Sequence, residues 1–108
     1  MKKSNQKINS IQRAIGFRFK ETSSEADVDS VVKALRDMKG IITEIRSLQG
    51  GRNISSAGRD KGFTHLFVLS FDCMADLESY ARHPAHMDFV QVLLPHLADS
   101  IELDSHLS

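Results

Sequence analysis

Apolar residues along this chain follow two spacings, which together predict four β-strands and three helices. Strict alternation predicts a strand, because neighbouring side chains on a strand point to opposite faces of the sheet. Apolar residues three and four positions apart predict a helix, because they share one of its faces. The predicted order is strand 11–19, helix 24–39, strand 42–49, strand 64–71, helix 74–82, a helix from 84, and strand 100–106.

Local signals set the ends of several elements. Ser24 precedes the acidic residues Glu25 and Asp27, which is the signature of a capped helix start. Pro95 predicts a break or kink in the last helix. The polar, glycine-rich run 50–61 lacks the lysine and helix start of a phosphate-binding loop and predicts a mobile surface loop. The apolar face of the last helix is predicted to carry His86, Phe89, Val90, Leu93 and Leu97.

The strand at 64–71 is apolar on both of its faces. Leu66 and Val68 lie on one face, opposite the face that suits a helical layer. Helices on one side of the sheet would leave these two side chains in water, so a second copy of the chain is the expected cover. The strand's other face carries His65, Phe67, Leu69 and Phe71.

Composition narrows the kind of protein. The chain has 108 residues, 41% of them hydrophobic, and its 14 basic and 14 acidic residues cancel, so no net field attracts nucleic acid or anionic lipid. Its lone cysteine excludes an intrachain disulfide, and no apolar run approaches the ~18 residues of a membrane span. The basic N-terminus lacks the apolar stretch of a secretory signal. We predict a flexible tail at 1–10, a single domain at 11–108 and a cytoplasmic location.

Four motifs stand out along the chain, namely Phe17-Arg18-Phe19-Lys20, Gly50-Gly51-Arg52-Asn53-Ile54-Ser55, Gly62-Phe63-Thr64-His65 and His83-Pro84-Ala85-His86. In this order and spacing they resemble the stress-responsive A/B barrel family, also called the Dabb domain. The resemblance covers roughly residues 11–106. It implies a ferredoxin-like α+β sandwich, with an antiparallel sheet and helices on one face, that pairs into a dimeric α+β barrel.

Candidate chemistry lies on a phenol and several imidazoles. Histidine can act as acid or base near neutral pH, and a tyrosine hydroxyl can donate to a developing oxyanion. In a plant polyketide cyclase of the resembled family, the tyrosine and second histidine of a Tyr-x-x-His-Pro-Ala-His pattern work together. The resemblance therefore implies Tyr80 and His86 as a catalytic pair, with His65 in the same pocket. Where that enzyme has a first-strand histidine, this chain has Arg13, which cannot act as a base but can pair with a carboxylate.

Each candidate also has a structural interpretation. His83-Pro84 is typical of a helix entry, and His65, Tyr80 and His86 can be core residues with satisfied polar atoms. His83 and His86 have a spacing that can hold a metal, but no third ligand is evident, so we predict no metal and no cofactor.

Three functions remain open. The first is a homodimeric, stress-associated module that binds a small apolar or acidic ligand through His65, Arg13 or His83. The second is a cofactor-independent cyclase or isomerase that uses His86 and Tyr80 on a carbonyl or aromatic substrate. The third is a cofactor-free monooxygenase. A closed pocket holding His65, Tyr80 and His86 would favour the enzymes, whereas an interior filled by Phe67, Phe89 and Leu93 would favour the module.

Overall fold

A computed structural model describes residues 10–107, which form one antiparallel sheet with helices on one face. The four strands are β1 (Ile11–Phe19), β2 (Ser47–Arg52), β3 (His65–Phe71) and β4 (Leu97–His106), in the sheet order β2-β3-β1-β4. The three α-helices are α1 (Glu25–Asp37), α2 (Met74–Arg82) and α3 (Pro84–Leu93), and short 3₁₀ turns occupy Met38–Gly40 and Leu94–His96. This is the predicted ferredoxin-like α+β fold.

Most of the predicted N-terminal tail, residues 1–9, lies outside the described residues. Within 10–107, no helix is long and apolar enough to cross a membrane. The cytoplasmic location stays a prediction from the sequence.

The core lies between the sheet and the helices. β1 and β3 pair so that Ile15 lies opposite Phe67, and both are buried on the helical face. The alternation predicted for β3 is confirmed, since its odd-numbered residues are buried there and Leu66 and Val68 point the other way. Helices contribute Val31, Leu35, Leu77, Tyr80, Phe89 and Leu93 to this core.

The predicted start of α1 is confirmed. The Ser24 hydroxyl accepts a hydrogen bond from the Asp27 backbone N–H, and the Asp27 carboxylate accepts one from the Ser24 N–H, each at 3.0 Å. These two bonds satisfy donors that a helix start leaves unpaired. They also hold the pKa of Asp27 below its ordinary value.

The second strand was predicted in the wrong place. The sequence suggested 42–49, whereas β2 occupies Ser47–Arg52. Ile42 and Ile45 are three positions apart, which does not fit the two-residue repeat of a strand. Both are buried as anchors of a turn, with the Ile45 N–H donating to the Ile42 carbonyl at 3.2 Å.

The predicted loop at 50–61 consequently loses its first three residues to β2. Gly50 sits in this strand with a φ of 141°, and a Cβ there would lie 2.1 Å from the Leu66 carbonyl oxygen. Only glycine tolerates that combination of backbone angle and close approach. Gly58 also has a positive φ, whereas Gly51 does not.

The last helix ends as Pro95 predicts. α3 stops at Leu93, and Pro95 lies in the following 3₁₀ turn. β4 then begins at Leu97, three residues before the predicted start, so Leu97 opens a strand instead of closing the helix face. Its side chain still packs against the core.

The second face of the sheet, which we call the open face, has no helical cover. Its apolar side chains include Leu66, which is 51% exposed, Ile101 at 49% and Leu103 at 64%. One end of this face is polar, because the strand registers align four side chains into a single row. This row consists of Ser47, Ser70, Gln12 and Ser105.

Candidate functional site

Tyr80 is buried on the inner face of α2. Only 1% of the residue is exposed, and its ring lies 5.2 Å from that of Phe71 and 4.5 Å from that of His86. Burial raises the pKa of Tyr80 to about 12, although the positive charge of Arg13 acts in the opposite direction. The phenol is therefore protonated at neutral pH and can serve as a hydrogen-bond donor.

His86 lies in the first turn of α3 and is half-buried against Tyr80. Its Nδ1 lies 3.1 Å from the Ala81 carbonyl oxygen. A carbonyl oxygen can only accept a hydrogen bond, so Nδ1 carries a proton and donates the hydrogen bond. The neutral ring consequently keeps an unprotonated Nε2, which is the form that a general base requires.

His83 connects two helices. It is the last residue before α3, where its Nδ1 accepts a hydrogen bond from the Ala85 N–H at 3.0 Å and Pro84 takes the first helical position. The helix-entry interpretation is thereby confirmed. Residues 10–107 contain no group of three or more His, Cys, Asp or Glu side chains arranged to hold a metal.

Arg13 uses its guanidinium within the chain. Nε and Nη2 donate to the two carboxylate oxygens of Asp104 at 2.8 and 3.0 Å, and Nη1 lies 3.7 Å from Glu102. The register of β1 against β4 places Asp104 directly opposite Arg13. The hydrogen bond from Arg13 lowers the pKa of Asp104, as expected for a paired carboxylate.

His65 lies at the other end of the helical face from Tyr80. It precedes Phe71, the ring against which Tyr80 packs, by six strand residues, which corresponds to about 20 Å. The structure therefore does not bring His65 into a common pocket with Tyr80 and His86. His65 is 7% exposed, and its Nδ1 shares a hydrogen bond of 2.9 Å with the Thr64 hydroxyl. Burial, followed by the nearby charge of Arg52, lowers its pKa.

A hollow of about 400 Å³ opens beside His65, and we call it the His65 hollow. It lies where the ends of β1 and β2 and the beginning of β3 meet the start of α1. Its walls combine aromatic, aliphatic, acidic and basic side chains. The lining residues are Arg18, Phe19, Glu21, Ser23, Glu25, Val28, Arg52, Gly62, Thr64 and His65.

Three bulky side chains fill the interior between sheet and helices. Phe67 has no exposed surface, Phe89 is 5% exposed and Leu93 is 7% exposed. This is the arrangement that the sequence analysis associated with a binding module.

Comparison with models of protein families identifies the family of this chain. The model of the stress responsive A/B barrel domain, Dabb, matches residues 11–107. The chain belongs to the Dabb family. Two relatives are similar to this Dabb chain over most of their length. Olivetolic acid cyclase of Cannabis sativa is 24% identical over 82 residues, which are 76% of this chain and 81% of that protein. Stress-response A/B barrel domain-containing protein HS1 of Arabidopsis thaliana is 24% identical over 86 residues, 80% and 79% respectively.

Solved structures share the fold at low sequence identity. A hydroxynitrile lyase from Passiflora edulis superposes with a TM-score of 0.87 at 19% identity, covering 94% of this chain and 95% of its own. A dimeric ferredoxin-like protein of unknown function from Thermobifida fusca gives 0.80 at 23% identity, with 91% of each chain covered. A cofactor-independent oxygenase from Streptomyces nogalater gives 0.70 at 11% identity, covering 90% and 91%.

Sequence reasoning missed Arg52 as a site residue in this Dabb chain. Arg52 was placed in a surface loop, whereas the structure puts it at the end of β2, directly opposite His65. The sequence signal that could have located it is Gly50, because a glycine within a strand often marks the close approach of another backbone, here that of Leu66 on β3.

Proposed function

We propose that this chain is a homodimeric Dabb protein that binds a small molecule in the His65 hollow. The observation that carries the proposal is a histidine that is almost wholly buried yet faces a space of about 400 Å³. A volume of this size suits a small organic ligand. The proposed site leaves out Arg13 and His83, whose hydrogen bonds are made within the chain.

The ring of His65 has one nitrogen available to a ligand. Nδ1 is occupied by Thr64. Within residues 10–107, every side-chain N or O that is sealed from solvent has a hydrogen-bond partner, and no described residue bonds Nε2 of His65. That nitrogen therefore reaches solvent, and the hollow that His65 lines is the space available to it.

The homodimer is supported by the open face. Leu66, Ile101 and Leu103 are each about half exposed or more. They lie on β3 and β4, which flank β1 in the sheet, and only Gly16 and Ala14 of β1 lie opposite them on this face. Contiguous apolar surface of this kind marks an interface. The polar row beside it resembles the rim of such an interface, where side chains keep access to water. Three solved structures of similar fold are dimeric ferredoxin-like proteins of unknown function.

A library screen tests ligand binding. Natural protein and His65→Gln are screened by thermal shift against neutral and acidic aromatic and aliphatic compounds, with His106→Gln, an exposed histidine on β4, as the matched control. We expect compounds that raise the melting temperature of the natural protein and of His106→Gln, but not of His65→Gln. A screen in which no compound stabilises the natural protein would contradict the ligand-binding proposal. Light scattering that shows a monomer at micromolar concentration would contradict the homodimer.

A second candidate function is a cofactor-independent acid–base enzyme that uses His86 and Tyr80. Its support is the tautomer of His86, which leaves Nε2 able to take a proton beside a phenol that keeps its own proton at neutral pH. In such a reaction Nε2 would remove a proton next to a carbonyl, and the Tyr80 hydroxyl would donate to the carbonyl oxygen as charge develops. A cyclase is similar to this chain in sequence, and a lyase is similar to it in fold. The similarity to an oxygenase, at 11% identity, leaves a cofactor-free monooxygenase as a further candidate.

Proton exchange separates this candidate from the module. Acetophenone is incubated with the protein in D₂O, and loss of its methyl proton signal is followed by NMR. An acid–base enzyme exchanges these protons faster than buffer, and His86→Ala abolishes the exchange whereas His106→Ala does not. Exchange at the rate of buffer in the natural protein would remove support from this candidate. A loss of about 1–3 kcal/mol in unfolding free energy of His86→Ala, without any catalysed exchange, identifies His86 as a structural residue.

A further inference from the structure

Arg52 stands beside His65 on the helical face of the sheet. The register of β2 against β3 makes the two residues direct neighbours, and directly opposed residues have Cβ atoms about 4.5–5.5 Å apart. Both line the His65 hollow. The charge of Arg52 acts on the His65 ring, so the guanidinium lies within electrostatic reach of the imidazole.

Arg52 is also unusual among the arginines of the hollow. Arg18 lies 3.6 Å from the Asp99 carboxylate. Arg52, by contrast, has no carboxylate within ion-pair distance among residues 10–107 and donates no side-chain hydrogen bond to them. Its planar donor fork is therefore available, and that fork matches a carboxylate bidentately.

The histidine can complement the same ligand group. The Thr64 hydroxyl can donate to Nδ1 of His65 as readily as it can accept from it, because a hydroxyl rotates to suit its partner. When Thr64 donates, Nε2 carries the proton of the neutral ring and points a donor at the hollow. A guanidinium and an imidazole N–H then converge on one anionic group, close to the apolar wall formed by Phe19 and Val28.

Glu21 and Glu25 also line the hollow, and both are exposed. Their charges repel an anion, so we expect its negative end to lie at Arg52 and His65, which are direct neighbours. From this arrangement we infer that the His65 hollow binds a small organic carboxylate, with Arg52 and His65 holding the carboxylate and Phe19 and Val28 contacting the apolar body. This inference rests on the proposed small-molecule function of the same hollow and names the class of its ligand.

The test compares an acid with its neutral isostere. 4-Hydroxybenzoate and 4-hydroxybenzamide have nearly the same shape, and their dissociation constants are measured by NMR titration with isotopically labelled natural protein, Arg52→Gln and Arg59→Gln. Arg59 lies in the loop between β2 and β3 and outside the His65 hollow, so it is a charge-matched control. We expect Arg52→Gln to weaken the binding of 4-hydroxybenzoate about tenfold or more, which is ~1.4 kcal/mol. We expect Arg59→Gln to leave this affinity unchanged. Shifted resonances are expected at His65 and Thr64.

Three results would overturn the inference. These are equal affinity of the natural protein for the acid and the amide, an unchanged affinity of Arg52→Gln for the acid, and no binding of the acid at all. The comparison of the two probes on the natural protein holds even if Arg52→Gln folds poorly. Binding of neutral compounds in the library screen, without preference for the acid, would refute the ligand class and leave the small-molecule function intact. A library without any stabilising compound would refute both.

Discussion

Placing a charge at the centre of the open face should dissociate the dimer. Leu66 is 51% exposed in the protomer, so about half of its side chain remains to be covered by a partner. Full burial of a leucine stabilises by about 1.5–3 kcal/mol, which gives ~1 kcal/mol for this half and ~2 kcal/mol for the two copies of a twofold interface. Leu66→Asp removes this contribution. The substitution also places one carboxylate from each protomer in the interface, and removing these two like charges from water costs at least ~2 kcal/mol more. We therefore expect the dissociation constant to rise about a thousandfold.

Sedimentation velocity over a concentration series measures that constant directly. Ile54→Asp is the matched control. It makes the same apolar-to-acidic change away from the sheet, because Ile54 lies in the loop after β2 and is 93% exposed. The circular dichroism of Leu66→Asp should remain that of the folded protomer, since the side chain contributes little to the core. A Leu66→Asp dimer as tight as the natural dimer would refute the assignment of the open face as the interface.

Three other results follow from the backbone and from burial. Gly50→Ala should lower the free energy of unfolding by at least ~2 kcal/mol in urea denaturation, because its φ of 141° and the 2.1 Å approach exclude a Cβ, and an unchanged midpoint would contradict this. Burial lowers the pKa of His65 below 6.5, so the unfolded chain binds its proton more readily. Stability should therefore fall as the pH drops below ~6.5, and less so in His65→Gln; equal pH profiles for the two proteins would be inconsistent with a neutral buried ring. Limited proteolysis should cut first at 54–61, and earlier cleavage within α3 would count against the exposure of that loop.

Elements specified by neighbouring residues were predictable from the sequence. The start of α1 depends on Ser24 and Asp27, which are three residues apart and form both bonds of the cap. The two faces of β3 follow from alternation alone, which is why Leu66 and Val68 were correctly assigned away from the helices.

Features that depend on distant pairing were not predictable. β2 was misplaced because Ile42 and Ile45 are apolar and β-branched, as strand residues often are, although their three-residue spacing belongs to a turn in which both are buried. The carboxylate expected opposite Arg13 was that of a ligand, but Asp104, 91 residues away, occupies the guanidinium. The separation of His65 from Tyr80 required knowledge of which end of the sheet α2 covers. The order of residues along the chain does not show which end of the sheet a helix covers.

The joint between α2 and α3 restricts where the chain can change in length. A single residue, His83, ends one helix with its backbone N–H and begins the next with its imidazole, and Pro84 fixes the backbone that follows. An inserted residue there would uncouple both helix ends at once and reorient α3, which carries Phe89 and Leu93 into the core. The exposed run 54–61 does not join two helix ends in this way. Length variation among Dabb chains, and any engineered epitope or fused module, is therefore expected to be accommodated between β2 and β3, while the two helices keep a one-residue connection.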